Sequence, residues 1–95
     1  MPAYFVAIRE AVKDPAEMAV YREKVRATMD NSNATIRAVY GKVRPLEGDA
    51  LEGVVIIEFP TFEEAEAWYD SPAYQEAVQH RFRGGTYRTF ITDGV

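Results

Sequence analysis

The stretch that decides the fold runs from residue 53 to residue 61 and reads Gly-Val-Val-Ile-Ile-Glu-Phe-Pro-Thr. Its β-branched and aromatic residues predict a strand over Val54–Phe59, which Pro60 ends because proline cannot donate to a sheet. A strand with one face in water alternates apolar and polar side chains, but Val54 to Ile57 are all apolar. Both faces of the predicted sheet therefore need a cover.

A helix is predicted upstream of this strand, beginning after Asp14. Pro15 occupies the first helical position, and Glu17 stands at the spacing of a capping box with Asp14. An apolar stripe then recurs at steps of three and four residues: Met18, Tyr21, Val25 and Met29. Residues 30–33, Asp-Asn-Ser-Asn, favour turns and predict the end of the helix.

Two further strands are predicted in the first half of the chain. Ala3–Glu10 is rich in aromatic and β-branched residues and forms the first. Thr35–Tyr40 forms the second, with a bulge or bend at Gly41 and an irregular continuation over Lys42–Glu47. A loop over residues 48–53 then leads into the strand that decides the fold.

Two helical segments and a last strand are predicted after Pro60. Thr61 caps the first segment, with Glu64 three residues later as a second capping box. Ser71-Pro72 restarts the helix, again with a cap followed by proline, and Gly84-Gly85 ends it. Thr86–Asp93 is the last strand.

The order β-α-β-β-α-β, with the second helix in two pieces, predicts a single α+β domain over residues 1–95 of ferredoxin-like fold. Such a domain has a four-stranded antiparallel sheet with helices on one face. A second copy of the chain is the simplest cover for the other face, because most oligomers are symmetric homodimers. The alternative is that the central strands are apolar for packing reasons alone.

Composition excludes several classes of protein. The chain has 95 residues, 11 basic and 15 acidic, for a net charge of −4, and no cysteine. The acidic balance argues against a nucleic-acid partner, and the absence of cysteine excludes disulfides and thiol chemistry. The apolar start, Met1–Ile8, lacks a basic region before it and a cleavage site after it. We therefore expect a cytoplasmic protein without a membrane span.

Four segments together resemble domain-of-unknown-function family 1330, within the dimeric α+β barrel superfamily. They are Asp14-Pro15, Leu46-Glu47-Gly48-Asp49, Glu58-Phe59-Pro60 with residues 67–74 (Ala-Trp-Tyr-Asp-Ser-Pro-Ala-Tyr), and the closing Asp93-Gly94. The resemblance implies two ferredoxin-like protomers with facing sheets and, in each, a cleft between sheet and helices. Relatives in the superfamily include cofactor-independent monooxygenases, muconolactone isomerases and haem-dependent enzymes, whereas the family itself has no agreed activity.

Two side chains are candidates for proton transfer. His80 is the only histidine, and imidazole has the pKa best suited to transfer near neutral pH. The alternative is that His80 is a surface histidine near the end of a helix, where Glu76 is the only carboxylate at helical spacing. Glu58 is a candidate base if it points into the protein, and a solvated residue or arginine partner if it points outward.

A candidate anion site lies on the third predicted helix. Arg81 and Tyr74 are seven residues apart, so they share one helix side, and the guanidinium can receive a carboxylate with two hydrogen bonds. The alternative is a structural ion pair with Glu47 or another acid. Glu47, Asp49 and Glu52 lack the spacing of a calcium loop. We expect neither a metal nor a cofactor.

Trp68, Tyr69 and Tyr74 form an aromatic group at the break between the second and third helices. They are candidates for the walls of a pocket that holds a flat organic molecule. Aromatic residues at such spacing also fill hydrophobic cores, and the sequence leaves both interpretations open.

Three hypotheses on function follow. The first is a homodimer that binds a small aromatic or carboxylated molecule in the sheet–helix cleft, with cofactor-free acid–base or monooxygenase-like chemistry if it is an enzyme. The second is a non-catalytic dimer that senses a ligand or assists another protein. The third is a tautomerase with Pro2 as the N-terminal base, although the rest of the chain lacks the pattern of that fold.

Overall fold

The computed structural model describes residues 1–30 and 32–95. The elements, in chain order, are β1 (Ala3–Val12), α1 (Pro15–Met29), β2 (Thr35–Val39), β3 (Gly53–Phe59), α2 (Phe62–Asp70), α3 (Pro72–Gly84) and β4 (Gly85–Asp93). The strands form one antiparallel sheet in the order β2-β3-β1-β4. The predicted ferredoxin-like fold is confirmed. Within the described residues, no helix has both the length and the apolar character needed to cross a membrane.

The helix starts lie where the sequence predicts them. The Asp14 carboxylate accepts hydrogen bonds from the amides of Ala16 and Glu17, and Pro15 occupies the first turn of α1. Thr61 and Ser71 cap α2 and α3 in the same way. Glu17 does not complete its capping box, because its carboxylate contacts His80 on α3. The predicted helix stop includes Asn31, which lies outside the described residues.

The region after β2 differs from the prediction. Residues 40–52 contain no strand, so the irregular strand expected over 42–47 is wrong. Tyr40 has φ of 49°, and this left-handed backbone ends the extended conformation. The register shift between β2 and β3 lies between Ile36 and Ala38, upstream of the bulge predicted at Gly41.

The sheet is apolar on both faces. One face packs on the helices through Phe5, Ile57 and Phe59. On the opposite face, Val6 of β1 pairs with Ile56 of β3 and with Phe90 of β4, and Phe90 is 49% exposed. The uninterrupted apolar run of β3 therefore reflects two apolar faces, as expected.

The helices do not pack on the sheet in the same way. Helix α2 contacts β1, β3 and β4, whereas α1 makes far closer backbone contact with α3 than with any strand. The approach of α1 to α3 requires Gly84, since a Cβ atom there would lie 2.8 Å from the Met18 sulfur. The Gly84 carbonyl also accepts hydrogen bonds from the amides of Lys13 and Asp14. Space therefore remains between α1 and the strands below it.

Candidate functional site

A cavity of about 340 Å³ lies between α1 and the helix-facing side of the sheet. Its walls are largely apolar, with Val25 and Met29 from α1 and Phe5, Ile36 and Ile57 from the strands. This volume and lining are typical of sites for small organic molecules. Ile36 is 56% exposed because β2 is an edge strand, and the cavity reaches this edge of the sheet.

Arg81 is the charged group buried in the wall of this cavity. The residue is only 4% exposed, and its Nε and Nη2 atoms have no hydrogen-bond partner among the described residues. Its guanidinium carbon lies 5.0 Å from the ring centre of Tyr87 and 5.8 Å from that of Tyr21. Aromatic faces attract a cation but accept no strong hydrogen bond, so in the described part of the chain these two donors have no acceptor within hydrogen-bond distance, although the Tyr74 hydroxyl lies near the guanidinium.

The guanidinium keeps its charge despite burial. Desolvation lowers the pKa of Arg81, the Tyr74 and Tyr21 phenols raise it, and the net direction is upward from an already high value. A buried charge without a counterion costs several kcal/mol in the typical case, and a well-placed anion offsets part of that cost.

Two pairs of tyrosine hydroxyls lie beside Arg81. Tyr21 and Tyr74 hydroxyls are 2.9 Å apart, and those of Tyr40 and Tyr87 are 2.6 Å apart. Burial raises the pKa of Tyr21, Tyr74 and Tyr87, so these phenols stay protonated at neutral pH. In each pair one O–H donates to the other oxygen, which leaves the second O–H free to donate elsewhere. The site is therefore rich in donors.

His80 and Glu58, the two candidate bases, do not line the cavity. His80 Nδ1 lies 2.7 Å from the Glu17 carboxylate, which Arg83 also approaches to 3.4 Å. This contact joins α3 to α1, and Glu76 instead pairs with Lys24. It gives His80 a carboxylate partner from outside its own helix.

Glu58 lies on the opposite face of the sheet from the cavity. It pairs across strands with Thr35, and its carboxylate accepts a hydrogen bond from Arg37 Nε at 3.0 Å. The outward orientation left open by the sequence is the one observed, with an arginine as partner.

The three predicted aromatic residues belong to the packed core. Trp68 and Tyr74 are buried, with ring centres 4.2 Å apart, and Tyr69 packs against the same cluster. The Trp68 indole donates to the Thr28 hydroxyl of α1. Tyr74 does not line the cavity itself, but its hydroxyl contacts two groups of the cavity wall, the Tyr21 hydroxyl and the Arg81 guanidinium.

Glu47 and Pro2 lie away from Arg81. Glu47 is exposed in the segment between β2 and β3, and no ion pair joins it to Arg81 among the described residues. The carbonyl of Pro2 accepts a hydrogen bond from the Gly94 amide, and Pro2 does not line the sheet–helix cavity. Within the described residues, no group of three acidic or histidine side chains could hold a metal ion.

Comparison with known families gives a match over residues 2–95, to the model described as "Domain of unknown function (DUF1330)". The chain belongs to this family. No curated protein matches the DUF1330 chain.

Solved structures similar to this DUF1330 protein share its fold at low sequence identity. A protein of unknown function from Rhodopseudomonas palustris has a TM-score of 0.77 at 14% identity, with 99% of this chain and 82% of that one covered. A dimeric ferredoxin-like protein of unknown function from Bacteroides fragilis has a TM-score of 0.67 at 10% identity, with 98% and 96% covered. SnoaB, a cofactor-independent oxygenase from Streptomyces nogalater, has a TM-score of 0.66 at 15% identity, with 99% and 93% covered.

The sequence pattern gave no sign that Tyr21 and Tyr87 belong to the cavity wall, and it left Tyr40 open between a pocket wall and core packing. Tyr21 is part of the apolar stripe of α1, where it counts only as a core residue. Tyr40 and Tyr87 come from distant strand ends, and nothing near either of them in the sequence indicates that their hydroxyls meet. Arg81 was a candidate because it shares one helix side with Tyr74, seven residues earlier.

Proposed function

We propose that this DUF1330 protein binds a small aromatic carboxylate in the cavity between α1 and the sheet, with the carboxylate on Arg81. The observation that carries the proposal is the pair of buried Arg81 nitrogens, Nε and Nη2, without a hydrogen-bond partner among the described residues. These two atoms lie on the side of the guanidinium that can hold both oxygens of a carboxylate.

The rest of the cavity suits the body of such a ligand. Val25, Met29 and Ile57 provide apolar contacts for a ring, and burial of a ring is worth a few kcal/mol. Arg22 and Arg26 of α1 and Asp30 at its C-terminal end also line the cavity, so basic groups outnumber acidic ones on its α1 side although the chain as a whole is acidic. This local charge favours the approach of an anion.

We propose binding ahead of catalysis. SnoaB is described as a cofactor-independent oxygenase, and its fold is similar. The candidate bases of this chain, however, lie outside the cavity: His80 joins α3 to α1, and Glu58 is on the other sheet face. A ligand-sensing or accessory role therefore fits the geometry better than acid–base or oxygenase chemistry.

We further propose that a second copy of the chain covers the open sheet face, as a homodimer. The support is the apolar row of Val6, Ile56 and Phe90, which the protomer leaves without a helix over it. The similar proteins from Bacteroides fragilis and Thermobifida fusca are both described as dimeric. The ligand cavities lie on the other side of each sheet.

Calorimetric titration with benzoate, phenylacetate and 3-phenylpropionate tests the ligand. At least one should bind, its neutral amide should not, and Arg81→Met should weaken binding by about tenfold or more, the loss expected for a charged hydrogen-bonded contact. Arg83→Met, an exposed change on the same helix, is the matched control and should bind as the wild type does. Failure of all three acids to bind, or unchanged binding by Arg81→Met, overturns the proposal.

Light scattering tests the dimer. The wild-type chain should have twice the protomer mass, and Phe90→Glu should give a folded monomer, because a charge in an apolar interface is costly. Val20→Glu, an exposed change on α1, should remain dimeric. A monomeric wild type, or a Phe90→Glu dimer of unchanged affinity, contradicts the proposed interface.

A further inference from the structure

We infer that the hydroxyls of Tyr40 and Tyr87 form a second polar subsite of the cavity, which selects ligands that carry a hydroxyl in addition to the carboxylate. This inference rests on the proposed function, because it assigns the part of the same ligand that Arg81 does not contact. Both tyrosines line the cavity, and their hydroxyls are 2.6 Å apart.

The pair has an unused donor. Two hydroxyls that bond to each other use one of their two protons, and the other proton remains free for an acceptor. Burial raises the pKa of Tyr87, so its hydroxyl is a neutral O–H rather than a phenolate. A neutral donor beside an apolar wall suits a ligand hydroxyl or carbonyl oxygen rather than a second anion.

Tyr40 is held in a disfavoured backbone conformation at this position. Its φ of 49° lies in the left-handed region, which residues other than glycine rarely adopt. Strain of this kind persists only where the surroundings enforce it, and it occurs preferentially at functional sites. Here it places an aromatic ring and a hydroxyl at the cavity wall.

Three contacts enforce the position of Tyr40. The Arg9 guanidinium carbon lies 4.0 Å from the centre of its ring, and Arg9 in turn pairs with Glu52 at 3.3 Å. The Tyr40 amide donates to the Val54 carbonyl. Gly53 leaves room for the ring, since a Cβ atom there would lie 2.7 Å from Tyr40 Cδ1. The tyrosine is therefore fixed from three sides before any ligand arrives.

Tyr87 connects the two polar ends of the site. Arg81 lies over its ring at 5.0 Å from the centre, and its hydroxyl contacts Tyr40. The Tyr87 side chain therefore contacts Arg81 through its ring and Tyr40 through its hydroxyl. A single-ring acid with a ring hydroxyl, such as a hydroxyphenylacetate, carries one group for each of these two polar sites.

The test compares phenylacetate with 3- and 4-hydroxyphenylacetate by calorimetry. The wild type should bind one hydroxylated acid about tenfold more tightly than phenylacetate, as expected for one additional buried hydrogen bond. The double variant Tyr40→Phe/Tyr87→Phe keeps both rings, removes both hydroxyls and should lose this preference. Both hydroxyls are removed together, because either one alone could still donate. Tyr4→Phe, on the opposite sheet face, is the control and should retain the preference.

The outcomes separate the two proposals. Equal binding of hydroxylated and plain acids by the wild type, or a preference that survives in the double variant, overturns the subsite and leaves the carboxylate site at Arg81 standing. If neither these acids nor the three of the first titration bind, the proposed function fails and the subsite with it. A thermal melt of each variant confirms that the fold is intact.

Discussion

The layer between the helices and the sheet has two halves of different character. Under α2 and α3, aromatic rings fill the space. The ring centre of Trp68 lies 5.2 Å from that of Phe5 and 4.2 Å from that of Tyr74. Under α1, the same sheet face borders a cavity of about 340 Å³. The difference arises because α2 packs on the strands, whereas α1 packs on α3.

The comparison shows how a small domain can keep a cavity and still fold. The packed half anchors α3, because Tyr74, Ala77 and Val78 on it are fully buried. Arg81 follows one turn later on the same side of that helix. The buried guanidinium is thus presented to the cavity by the best-anchored helix of the protein, which favours a ligand site that needs little rearrangement.

The largest effect that would test the comparison is a core truncation. Phe59→Ala should lower the free energy of unfolding by about 3–5 kcal/mol, since a large cavity would open in the packed half. Ile36→Ala, which borders the existing cavity and is half exposed, should cost under about 1 kcal/mol. Urea unfolding of both variants checks this. Equal losses would mean that the two halves do not differ in packing.

A second test addresses the contact that holds α1 against α3. Gly84→Ala should destabilise the protein by about 1–3 kcal/mol, because the new Cβ would meet the backbone nitrogen of Met18 at 3.0 Å as well as its side chain. Gly41→Ala, which has no neighbour within 4 Å, is the control and should change stability little. Thermal or urea unfolding measures both. A neutral Gly84→Ala would show that α1 can move off α3.

A third test uses the polar contact between the same two helices. The His80 hydrogen bond, followed by the charge of Arg83, lowers the pKa of Glu17 below its ordinary value of 4.5. Since the folded pKa is the lower one, this stabilisation is complete above pH 4.5 and is lost as the pH falls through the folded pKa.

Wild type and Glu17→Gln should therefore differ in melting temperature near pH 6 and converge toward pH 3. Glu23→Gln, an exposed change on the same helix, should show no such convergence. A Glu17→Gln difference that is constant with pH would contradict the assignment.

The smallest expected change in stability comes from a substitution on the sheet face opposite the cavity. Glu58→Gln breaks an exposed ion pair with Arg37 and should cost under about 1 kcal/mol. Aryl-carboxylate affinity should not change, because Glu58 lies across the sheet from the cavity. A marked loss of binding would show that the two faces are coupled.

Much of the fold could be predicted from local signals. Asp14, Thr61 and Ser71 mark the starts of the three helices, because caps act on the next few residues and leave a short sequence pattern. The region after β2 could not be predicted in this way. The left-handed conformation of Tyr40 ends that strand, and it depends on Arg9 and Gly53, which are distant in the sequence.

The candidate site was predictable only in part. Arg81 was identified from helix periodicity, which places it on the same side as Tyr74. The partners of His80 and Glu58 could not be identified in this way, because they are distant in the sequence. Glu17 lies 63 residues from His80, and Arg37 lies 21 residues from Glu58. Such pairings require the packed structure, since no local spacing encodes them.

The sequence by itself determined the order of strands and helices, their starts, and the two apolar faces of the sheet, because these follow from caps and periodicity. Only the tertiary structure decided where the cavity lies and which polar groups face it. Both depend on how far α1 stands from the strands, and that distance is set by the contact of Gly84 with Met18 and by the aromatic rings that fill the other half.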